Sequence, residues 1–325
     1  MPKGMILAAG RGTRLGPLTE SLPKPLLPVA NKPVMAQGIQ TLRRLGITEV
    51  CVNACYRAQQ LVDAFGDGRA HGVKINWAIE TEATGTAGGM KGMQHILAND
   101  EIVVIAGDAM LDLDLAPLLE AHRARRAFAT LATISVAETS QYGVVVSTED
   151  GRIIQFQEKP TPGTEISRQA NTGIYIFQPE IFDLIPVGCF YDFALDVFPE
   201  ILRRNLPFYA FPVEGYWTDI GNPGDYLQAN LDYLAGHVRT KGHGQRVNGN
   251  LIAASAVVSG TELHDCVIGD GVVVSRGSAL TRCIIWPGTR IADPLHLSST
   301  VLTPWGAFAI DGKTAAPTEC NALDA

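Results

Sequence analysis

A short stretch near the start of the chain combines glycines with cationic side chains. Residues 7–29 read L-A-A-G-R-G-T-R-L-G-P-L-T-E-S-L-P-K-P-L-L-P-V. Glycine lets a backbone pass close to a ligand and direct its N–H groups at it, while Arg14 and Lys24 supply charge suited to phosphate. The four prolines oppose the immediate start of a helix, so we predict a long, stiff loop. This glycine-rich loop (residues 7–29) is predicted to bind phosphate; a basic surface loop without a ligand is the alternative.

Two better-known phosphate-binding motifs are excluded by the spacing of the glycines. The run G-x-G-x-x-x-G is not the G-x-G-x-x-G of dinucleotide-binding proteins, and no helix is predicted directly after it. The motif G-x-x-x-x-G-K-[ST] is also absent, because Pro17 follows Gly16.

A second candidate stretch is residues 80–89, E-T-E-A-T-G-T-A-G-G, which we call the base segment. It follows a predicted strand, Val73–Ile79, and precedes a predicted helix, Met90–Leu97. Its small residues would let a flat base lie against the backbone, and its carboxylates would accept hydrogen bonds from a base edge. A plain turn between strand and helix is the alternative.

Asp108 is a candidate metal ligand because it follows the apolar strand predicted over Ile102–Ala106. Magnesium binds one or two carboxylates together with phosphate oxygens, and a strand end suits both. Aspartates at strand ends are also common turn formers, so both interpretations stay open at this point.

The elements that must position these residues alternate between helix and strand. The apolar run Met5–Ala9 predicts the buried strand that leads into the glycine-rich loop. The other predicted elements are, in chain order, helix Met35–Leu45, strand Val50–Asn53, helix Gln59–Phe65, strands Phe128–Val136, Tyr142–Val146, Ile153–Phe156 and 171–177, helix Phe193–Arg204 with a break at Pro199, and a helix from Pro223 capped by Asn222. This alternation predicts an α/β fold with a mostly parallel sheet, whose ligands lie at the carboxyl ends of the strands.

Beyond residue 240 the helical spacing ends and apolar residues recur six positions apart. They are Val267, Val273, Ala279, Ile285 and Ile291, with Ile268, Val274 and Leu280 beside them. Such hexads are typical of a β-helix, in which one apolar residue per hexad points inward; an irregular β-rich domain is the alternative. We therefore predict two domains, residues 1–240 and 241–325, and assign no role to the tail after Pro304.

The composition limits the class of protein. With 325 residues, 46% hydrophobic and 18% charged, the chain has an ample core. A net charge of −7 argues against binding to nucleic acid, and no apolar run is long enough to span a membrane or to form a signal peptide. We expect a cytoplasmic protein. Its six scattered cysteines form no C-x-x-C motif and predict reduced, mostly buried thiols.

The glycine-rich loop resembles the signature of the sugar-1-phosphate nucleotidylyltransferases, L-A-A-G-x-G-T-R-L-x-P-L-T-x-x-x-P-K-P-L-x-P-V. The resemblance extends from residue 3 to about residue 235, and more loosely to the hexads, which resemble the left-handed β-helix of many family members. It implies a Rossmann-like nucleotide-diphospho-sugar transferase fold. The implied reaction joins a sugar-1-phosphate and a nucleoside triphosphate into a nucleotide-sugar and pyrophosphate.

The resemblance also implies which residues would bind the substrates. The nucleotide-binding residues would be Leu7, Ala8, Ala9, Gly10, Gly12, Thr13, Arg14, Lys24, Glu80, Gly85 and Thr86. Residues 155–160, Q-F-Q-E-K-P, match the segment in which a lysine holds the sugar phosphate and a carboxylate meets the sugar hydroxyls. The sugar-phosphate residues would be Gly143, Glu158, Lys159 and Asn171.

A metal site is implied by the run G-Y-W-T-D-I-G-N-P (215–223), which resembles the family's G-Y-W-x-D-I-G-T-P. Its aspartate, Asp219, would bind Mg²⁺ together with Asp108. The implied catalytic residues are Arg14, Lys24, Asp108, Lys159 and Asp219. No base catalyst is required, because a phosphate monoester is already ionised near neutral pH.

The identity of the base is a separate question. A carboxylate of Glu80 or Glu82 would accept hydrogen bonds from both N1–H and N2–H of guanine, which favours GTP and a GDP-mannose-type product. An enzyme using UTP or dTTP with glucose-1-phosphate is the alternative. A catalytically silent regulatory homologue, an acyltransferase and transfer onto a non-sugar phosphate such as phosphocholine also remain open. Because the hexad region is short, we expect it to pack on the first domain or on another subunit of a homo-oligomer.

Overall fold

The computed structural model describes residues 1–317 and 323–324 of the chain. It divides the chain into two compact units. The first contains Met1–Arg11, Ala36–Ala109 and Leu113–Trp217, and the second contains Gly12–Met35, Met110–Asp112 and Thr218–Ala325. The predicted domain boundary at residue 240 stays a prediction.

The first 240 residues contain both strands and helices. The strands are β1 (Lys3–Leu7), β2 (Pro28–Val29), β3 (Lys32–Pro33), β4 (Glu49–Ala54), β5 (Lys74–Ile79), β6 (Ile102–Ala106), β7 (Ala109–Leu113), β8 (Ala129–Ser135), β9 (Val144–Ser147), β10 (Ile153–Gln157), β11 (Gln169–Phe177), β12 (Phe208–Pro212) and β13 (Gly215–Asp219). The α-helices are α1 (Met35–Arg44), α2 (Ala58–Phe65), α3 (Gly85–Lys91), α4 (Gln94–Leu97), α5 (Ala116–Ala124), α6 (Phe198–Arg203) and α7 (Pro223–Ala235). Short 3-10 helices occupy Thr13–Thr19, Lys24–Leu26, Arg69–His71 and Pro179–Leu184, and a π-helical turn occupies Phe193–Val197.

A mixed sheet forms the centre of the first unit. Its strands follow the order β10-β9-β11-β6-β1-β4-β5, with β8 beside β11 and β12 beside β8. The strands β6, β1, β4 and β5 run parallel, with Leu7 opposite both Asn53 and Ala106. The α/β class is confirmed. The sheet is less parallel than predicted, because β11 runs antiparallel to β6, β8 and β9.

Helices pack closely against the sheet of the first unit. Gly4 in β1 faces α1, and a Cβ there would lie 2.8 Å from Leu42 Cδ1. On the β11 side, buried aromatic rings pack together, and Tyr175 makes edge contacts with Phe193 and Phe198 at centroid distances of 5.5 and 5.3 Å. These contacts bury the π-helical turn and α6 against the sheet.

The second unit is rich in short strands after α7. They are β14 (Gln245–Val247), β15 (Asn250–Ile252), β16 (Glu262–His264), β17 (Val267–Ile268), β18 (Val273–Val274), β19 (Ala279–Thr281), β20 (Ile284–Ile285), β21 (Arg290–Ile291), β22 (His296–Ser298), β23 (Thr300–Thr303), β24 (Gly306–Asp311), β25 (Thr314–Pro317) and β26 (Leu323–Asp324). Parallel pairing joins β15-β17-β20-β23, β16-β19-β22 and β18-β21.

The parallel strands stack residues from successive turns of the chain. Val267 lies opposite Ile284, and Ile284 lies opposite Val301. The buried residues of this core include Ile268, Val274, Leu280, Ile285, Ile291 and Leu302. The predicted inward series therefore shifts by one position, because a step of five replaces a step of six between Leu280 and Ile285. The stacked strands are consistent with a β-helix, whose presence and left hand stay predictions.

The cysteines that the structure describes are free thiols. Cys51, Cys266 and Cys283 are buried, Cys55 is half-buried and Cys189 is exposed, while Cys320 lies outside the described residues. Burial raises the pKa of the Cys51 thiol to about 12. No helix among the described residues is long and apolar enough to cross a membrane.

Candidate active site

The glycine-rich loop leaves the sheet at the carboxyl end of β1, as predicted. Ala8 N donates to Asn53 O at 3.2 Å and to Asn53 Oδ1 at 3.1 Å, next to the end of β4. Asn53 is buried, with 2% of its surface exposed, so this pair of bonds is held away from solvent. Leu7, Ala8, Ala9 and Gly10 thus lie in the first unit, directly beyond the strand.

The base segment is tied to the same asparagine. Asn53 Nδ2 donates to Glu80 Oε1 at 2.7 Å, and Glu80 Oε2 accepts from Thr84 N at 2.8 Å and Thr84 Oγ1 at 2.9 Å. Gly89 leaves room for this bond, because a Cβ there would overlap Asn53 Nδ2. Glu80 therefore fixes the turn between β5 and α3. Its predicted contact with a nucleotide stays a prediction, and Glu82 is exposed.

The base segment becomes helical earlier than predicted. Helix α3 begins at Gly85 rather than at Met90, since the small residues that follow Gly85 are helical. Gly85 has φ 83°, a conformation that strongly favours glycine, and a Cβ there would overlap the carbonyl oxygen of Tyr191. That carbonyl oxygen accepts from Ala87 N and Gly88 N, each at 3.0 Å, so it satisfies donors of the first helical turn.

Two residues that were not predicted, Tyr191 and Asp192, hold the start of α3 in place; we call these contacts the clamp on α3. Tyr191 N donates to Thr84 O at 2.9 Å. Thr86 Oγ1 donates to Asp192 Oδ2 at 2.8 Å and accepts from Phe193 N at 2.9 Å. Asp192 also caps the following π-helical turn through Ala194 N and Leu195 N. An aspartate before an apolar helical stripe is a capping signal, but nothing in the sequence places it beside Thr86.

Asp108 lies where the sequence predicted, just beyond β6 and half-buried. Gly107 N donates to Leu7 O at 2.9 Å, and a Cβ on Gly107 would lie 2.9 Å from Ile6 Cγ2. The chain carrying Asp108 is therefore held against the start of the glycine-rich loop, at the same edge of the sheet.

The structure brings the four predicted sugar-phosphate residues together at the ends of β9, β10 and β11. Asn171 N donates to Gly143 O at 2.8 Å, and a Cβ on Gly143 would lie 2.7 Å from Glu158 Oε2. Lys159 has φ 42°, and its ammonium lies 3.1 Å from Glu158 Oε1. With 58% of its side chain exposed, Lys159 gains little from that ion pair and can exchange it for a phosphate.

An aromatic pair borders the same group. Tyr142 and Trp217 meet edge to face at a centroid distance of 5.5 Å, and Trp217 Nε1 donates to Thr172 O at 3.0 Å. Tyr142 O accepts from Lys159 N at 3.1 Å. Both aromatic residues were missed as site residues, although Trp217 belongs to the G-Y-W run from which Asp219 was predicted.

In the second unit, the glycine-rich loop, which was predicted to be long and stiff, contains two short helical segments. Thr13–Thr19 and Lys24–Leu26 form 3-10 turns, and Gly16 interrupts the first with φ 56° and ψ −129°. Gly12 has φ 67°, and Thr19 Oγ1 donates to its carbonyl oxygen at 3.1 Å. Proline is compatible with such short turns because they need few backbone donors. The turns set the positions of Arg14 and Lys24.

An ion-pair cluster joins three predicted catalytic residues in this unit. Lys24 Nζ lies 3.0 Å from Asp219 Oδ1, and Arg14 lies 3.7 Å from Asp219 Oδ2. Lys24 is buried, with 6% of its surface exposed, so its charge requires an anionic partner. The sequence separates Lys24 and Asp219 by 195 positions, and only the resemblance pointed to both.

The donors available for a metal are carboxylate oxygens, the hard ligands that magnesium prefers. The carboxylate oxygens of Asp219 form ion pairs with Lys24 and Arg14 in this structure, so cationic groups can reach them. Among residues 1–317 there is no group of three or more His, Cys, Asp or Glu side chains that could hold a metal ion. A magnesium site with ligands from Asp108 and Asp219 stays a prediction.

The family model for nucleotidyl transferases matches residues 3–236. The chain belongs to the nucleotidyl transferase family. It is 36% identical to the UTP–glucose-1-phosphate uridylyltransferase of Synechocystis, over 97% of this chain and 92% of that protein. It is 33% identical to the mannose-1-phosphate guanylyltransferase of Mycobacterium tuberculosis, over 88% of this chain and 80% of that protein.

A solved structure shares the fold of this nucleotidyl transferase. A Bacillus anthracis protein assigned as a glucose-1-phosphate thymidylyltransferase matches with a TM-score of 0.66 and 27% identity, over 74% of this chain and 97% of that one. The enzyme class is thereby shown: the chain is a sugar-1-phosphate nucleotidyltransferase of the EC 2.7.7 type. The named relatives differ in nucleotide and sugar.

Proposed function

We propose that this nucleotidyl transferase forms a GDP-mannose-type nucleotide-sugar from GTP and a sugar-1-phosphate. The observation that carries the transfer chemistry is the cluster of Lys24, Arg14 and Asp219, in which two cations share one carboxylate. A triphosphate offers these cations more negative charge than Asp219 does, so they would exchange partners when the nucleotide binds. The exposed carboxylate of Glu82 and the guanylyltransferase relatives support guanine.

In the reaction, an oxygen of the sugar-1-phosphate attacks the α-phosphorus of the triphosphate. A new phosphorus–oxygen bond forms, the bond to the β-phosphate oxygen breaks, and pyrophosphate leaves with the electron pair. The chemistry requires orientation and charge neutralisation rather than a protein nucleophile. It also requires no proton acceptor, because the attacking phosphate is already ionised.

Different residues would bind the two anionic substrates, the triphosphate and the sugar phosphate. Backbone N–H groups from Ala9 to Thr13, with Arg14 and Lys24, would bind the triphosphate, and Lys159 would bind the sugar phosphate beside Glu158. Asp108 and Asp219 would hold Mg²⁺, which would neutralise charge on the reacting phosphates. Each cation thus offsets part of the repulsion between the two substrates.

The second candidate is a UTP- or dTTP-using glucose-1-phosphate nucleotidylyltransferase. It is favoured by the Synechocystis relative, which covers 97% of the chain at 36% identity. The bonds of Glu80 to Asn53 and Thr84 also favour it, because they occupy a carboxylate that guanine would otherwise use.

A substrate panel tests both candidates. Pyrophosphate release is measured with Mg²⁺, crossing GTP, UTP, dTTP, ATP and CTP with mannose-, glucose- and N-acetylglucosamine-1-phosphate. We expect release with GTP and mannose-1-phosphate and its loss in Asp108→Ala. Release only with UTP or dTTP and glucose-1-phosphate would replace the first candidate by the second. Silence of the intact enzyme across the panel would favour a regulatory subunit or a non-sugar phosphate.

A further inference from the structure

A hairpin formed by β24 and β25 (Gly306–Pro317) belongs to the second unit and is anchored to its last stacked strand. Phe308 in β24 pairs with Val301 in β23, and Ile310 N donates to Ser299 O at 2.8 Å. The turn of the hairpin lies between Asp311 and Thr314, where Lys313 is exposed. The hairpin is therefore a defined element with a cation at its tip.

The tip of this hairpin lies against the first turn of α7. A Cβ on Gly224 would overlap the carbonyl oxygen of Gly312, so the two backbones approach as closely as glycine permits. Strand β25 also contacts the 3-10 segment Thr13–Thr19, which carries Arg14. The hairpin thus touches the element that follows Asp219 and the element that carries one of its cations.

Charges of both signs meet at this contact. Asp225, in the first turn of α7, is half-buried, and its N–H donates to the capping Asn222 Oδ1 at 3.1 Å. Burial and the nearby Asp219 carboxylate raise the pKa of Asp225, while the charges of Lys313 and Arg14 oppose that rise. A cavity of about 280 Å³ is lined by residues that include Gly224, Asp225, Gly312 and Lys313.

We propose that the hairpin is part of the nucleotide site and that Lys313 is a positioning residue that balances the charge of Asp225. This inference rests on the proposed function. Arg14 pairs with Asp219 at 3.7 Å, and Lys313 lines the same cavity as Asp225. When Lys313 offsets the charge of Asp225, less negative charge opposes the approach of the triphosphate to Arg14. Without Lys313, the unbalanced carboxylate of Asp225 would repel the triphosphate and weaken the binding of the nucleotide.

The test compares Lys313→Ala and Lys313→Arg with Lys241→Ala, which removes an exposed lysine from the same unit. We expect Lys313→Ala to raise KM for the nucleoside triphosphate, and for pyrophosphate in the reverse reaction, by about threefold to fivefold at low ionic strength, with little change in kcat. The increase should shrink at high salt, and Lys313→Arg should restore KM. Lys241→Ala should match the wild-type enzyme.

A merely structural hairpin would give a different pattern. A rise in KM that persists at high salt and is not restored by Lys313→Arg would overturn the role of the charge. An unchanged KM in Lys313→Ala would overturn the inference while the wild-type activity keeps the proposed function intact. Absence of wild-type activity across the substrate panel would overturn both together.

A second variant tests the contact without removing a charge. Gly224→Ala places a methyl group where the Gly312 carbonyl oxygen lies, so the hairpin tip must move away from α7. We expect this variant to raise KM for the triphosphate as Lys313→Ala does. Titration with Mg²⁺ and pyrophosphate by calorimetry should show the same weakening in both variants without turnover. Wild-type affinity in Gly224→Ala would contradict the proposal.

Discussion

At the scale of single residues, the candidate site depends on charges that the fold has partly removed from water. Lys24 is the clearest case, because it is buried while Arg14 on the same carboxylate is 53% exposed. The ion pair with Asp219 offsets part of the cost of removing the Lys24 ammonium from water before the nucleotide binds. The pairing prepares a cation for phosphate at a fixed position.

Replacing Lys24 should therefore lower activity far more than replacing an exposed lysine outside the candidate site. We expect Lys24→Met to lower kcat/KM by about 100-fold or more, because a charge-assisted contact to the triphosphate is lost from a site shielded from water. Lys74→Met, which removes an exposed ion pair with Glu49, is the control and should stay near the wild-type value. Equal kinetics for the two variants would contradict the role of Lys24.

The buried side chain of His122 should make the free energy of unfolding depend on pH. It is fully buried in α5, and its Nε2 must accept from Gln178 Nε2 at 2.9 Å, which leaves the proton on Nδ1 beside Thr130 Oγ1. Burial lowers the pKa of His122 to about 4. The folded state thus keeps His122 neutral, whereas the unfolded chain binds a proton below about pH 6.5.

Stability that His122 provides at neutral pH should therefore be lost as pH falls from about 6.5 towards 4. We expect this group to lower the free energy of unfolding by about 2 kcal/mol between pH 6.5 and 5. The comparison of wild type with His122→Gln by thermal unfolding at pH 7 and pH 5 measures it. A glutamine does not titrate, so an identical pH response in the two proteins would rule out this contribution.

At the scale of elements, positions fixed by local patterns were predictable. Apolar runs that end in glycine or polar residues predicted β1, β4, β5 and β6. The observed strand ends differ from the predicted ends by at most two residues. Strand β7, helix α5 and strand β12 were not predicted. A break at Pro199 was predicted within the helix Phe193–Arg204, and the π-helical turn changes to α6 one residue earlier, at Phe198. Pro199 thus lies in the first turn of α6, a position that proline tolerates.

The contacts that build the site could not be predicted from local sequence patterns, because they join residues far apart in the chain. Tyr191 meets Gly85, and Asp192 meets Thr86, across 106 positions of the chain in each case. No sequence motif or spacing around Tyr191 or Asp192 indicates these partners. The roles of Lys159, Glu158 and Asp219 came from the resemblance alone, since adjacent opposite charges and strand-end aspartates are common in proteins without active sites.

The clamp on α3 makes Gly85 a sensitive position. Gly85→Ala introduces a Cβ at φ 83° that overlaps the Tyr191 carbonyl oxygen, so the base segment must shift. We expect a loss of about 1 to 3 kcal/mol in stability and a raised KM for the nucleotide. Gly92→Ala is the control, because its nearest neighbouring atom would lie 3.5 Å from the new Cβ. The prediction is wrong if both variants melt and bind alike.

At the scale of the molecule, the second unit contains Arg14, Lys24, Asp219 and the stacked strands together. Trp286, beside β20, donates from Nε1 to Tyr226 OH at 2.9 Å, and Tyr226 OH donates to Pro28 O at 2.8 Å. This chain of bonds connects a stacked strand through α7 to the loop that carries Lys24. The C-terminal region thus supports the loop directly.

Removing one link should weaken that support. We expect Trp286→Phe to lower the free energy of unfolding by about 1 kcal/mol, because Tyr226 OH loses a buried donor. Trp305→Phe is the matched control, since Trp305 is 59% exposed. Differential scanning calorimetry should show a lower Tm for Trp286→Phe only. The same Tm in both variants would mean that this bond does not stabilise the unit.

The central claim is that two carboxylates, Asp108 and Asp219, act on the transfer step together with Mg²⁺. The most direct measurement is the single-turnover rate of pyrophosphate release as a function of Mg²⁺ in the wild type, Asp108→Asn and Asp219→Asn, with the substrate pair that the panel selects. We expect either substitution to lower the rate by about 100-fold or more and to raise the Mg²⁺ concentration needed for half the maximal rate. A wild-type rate and Mg²⁺ response in either variant would contradict the proposed site.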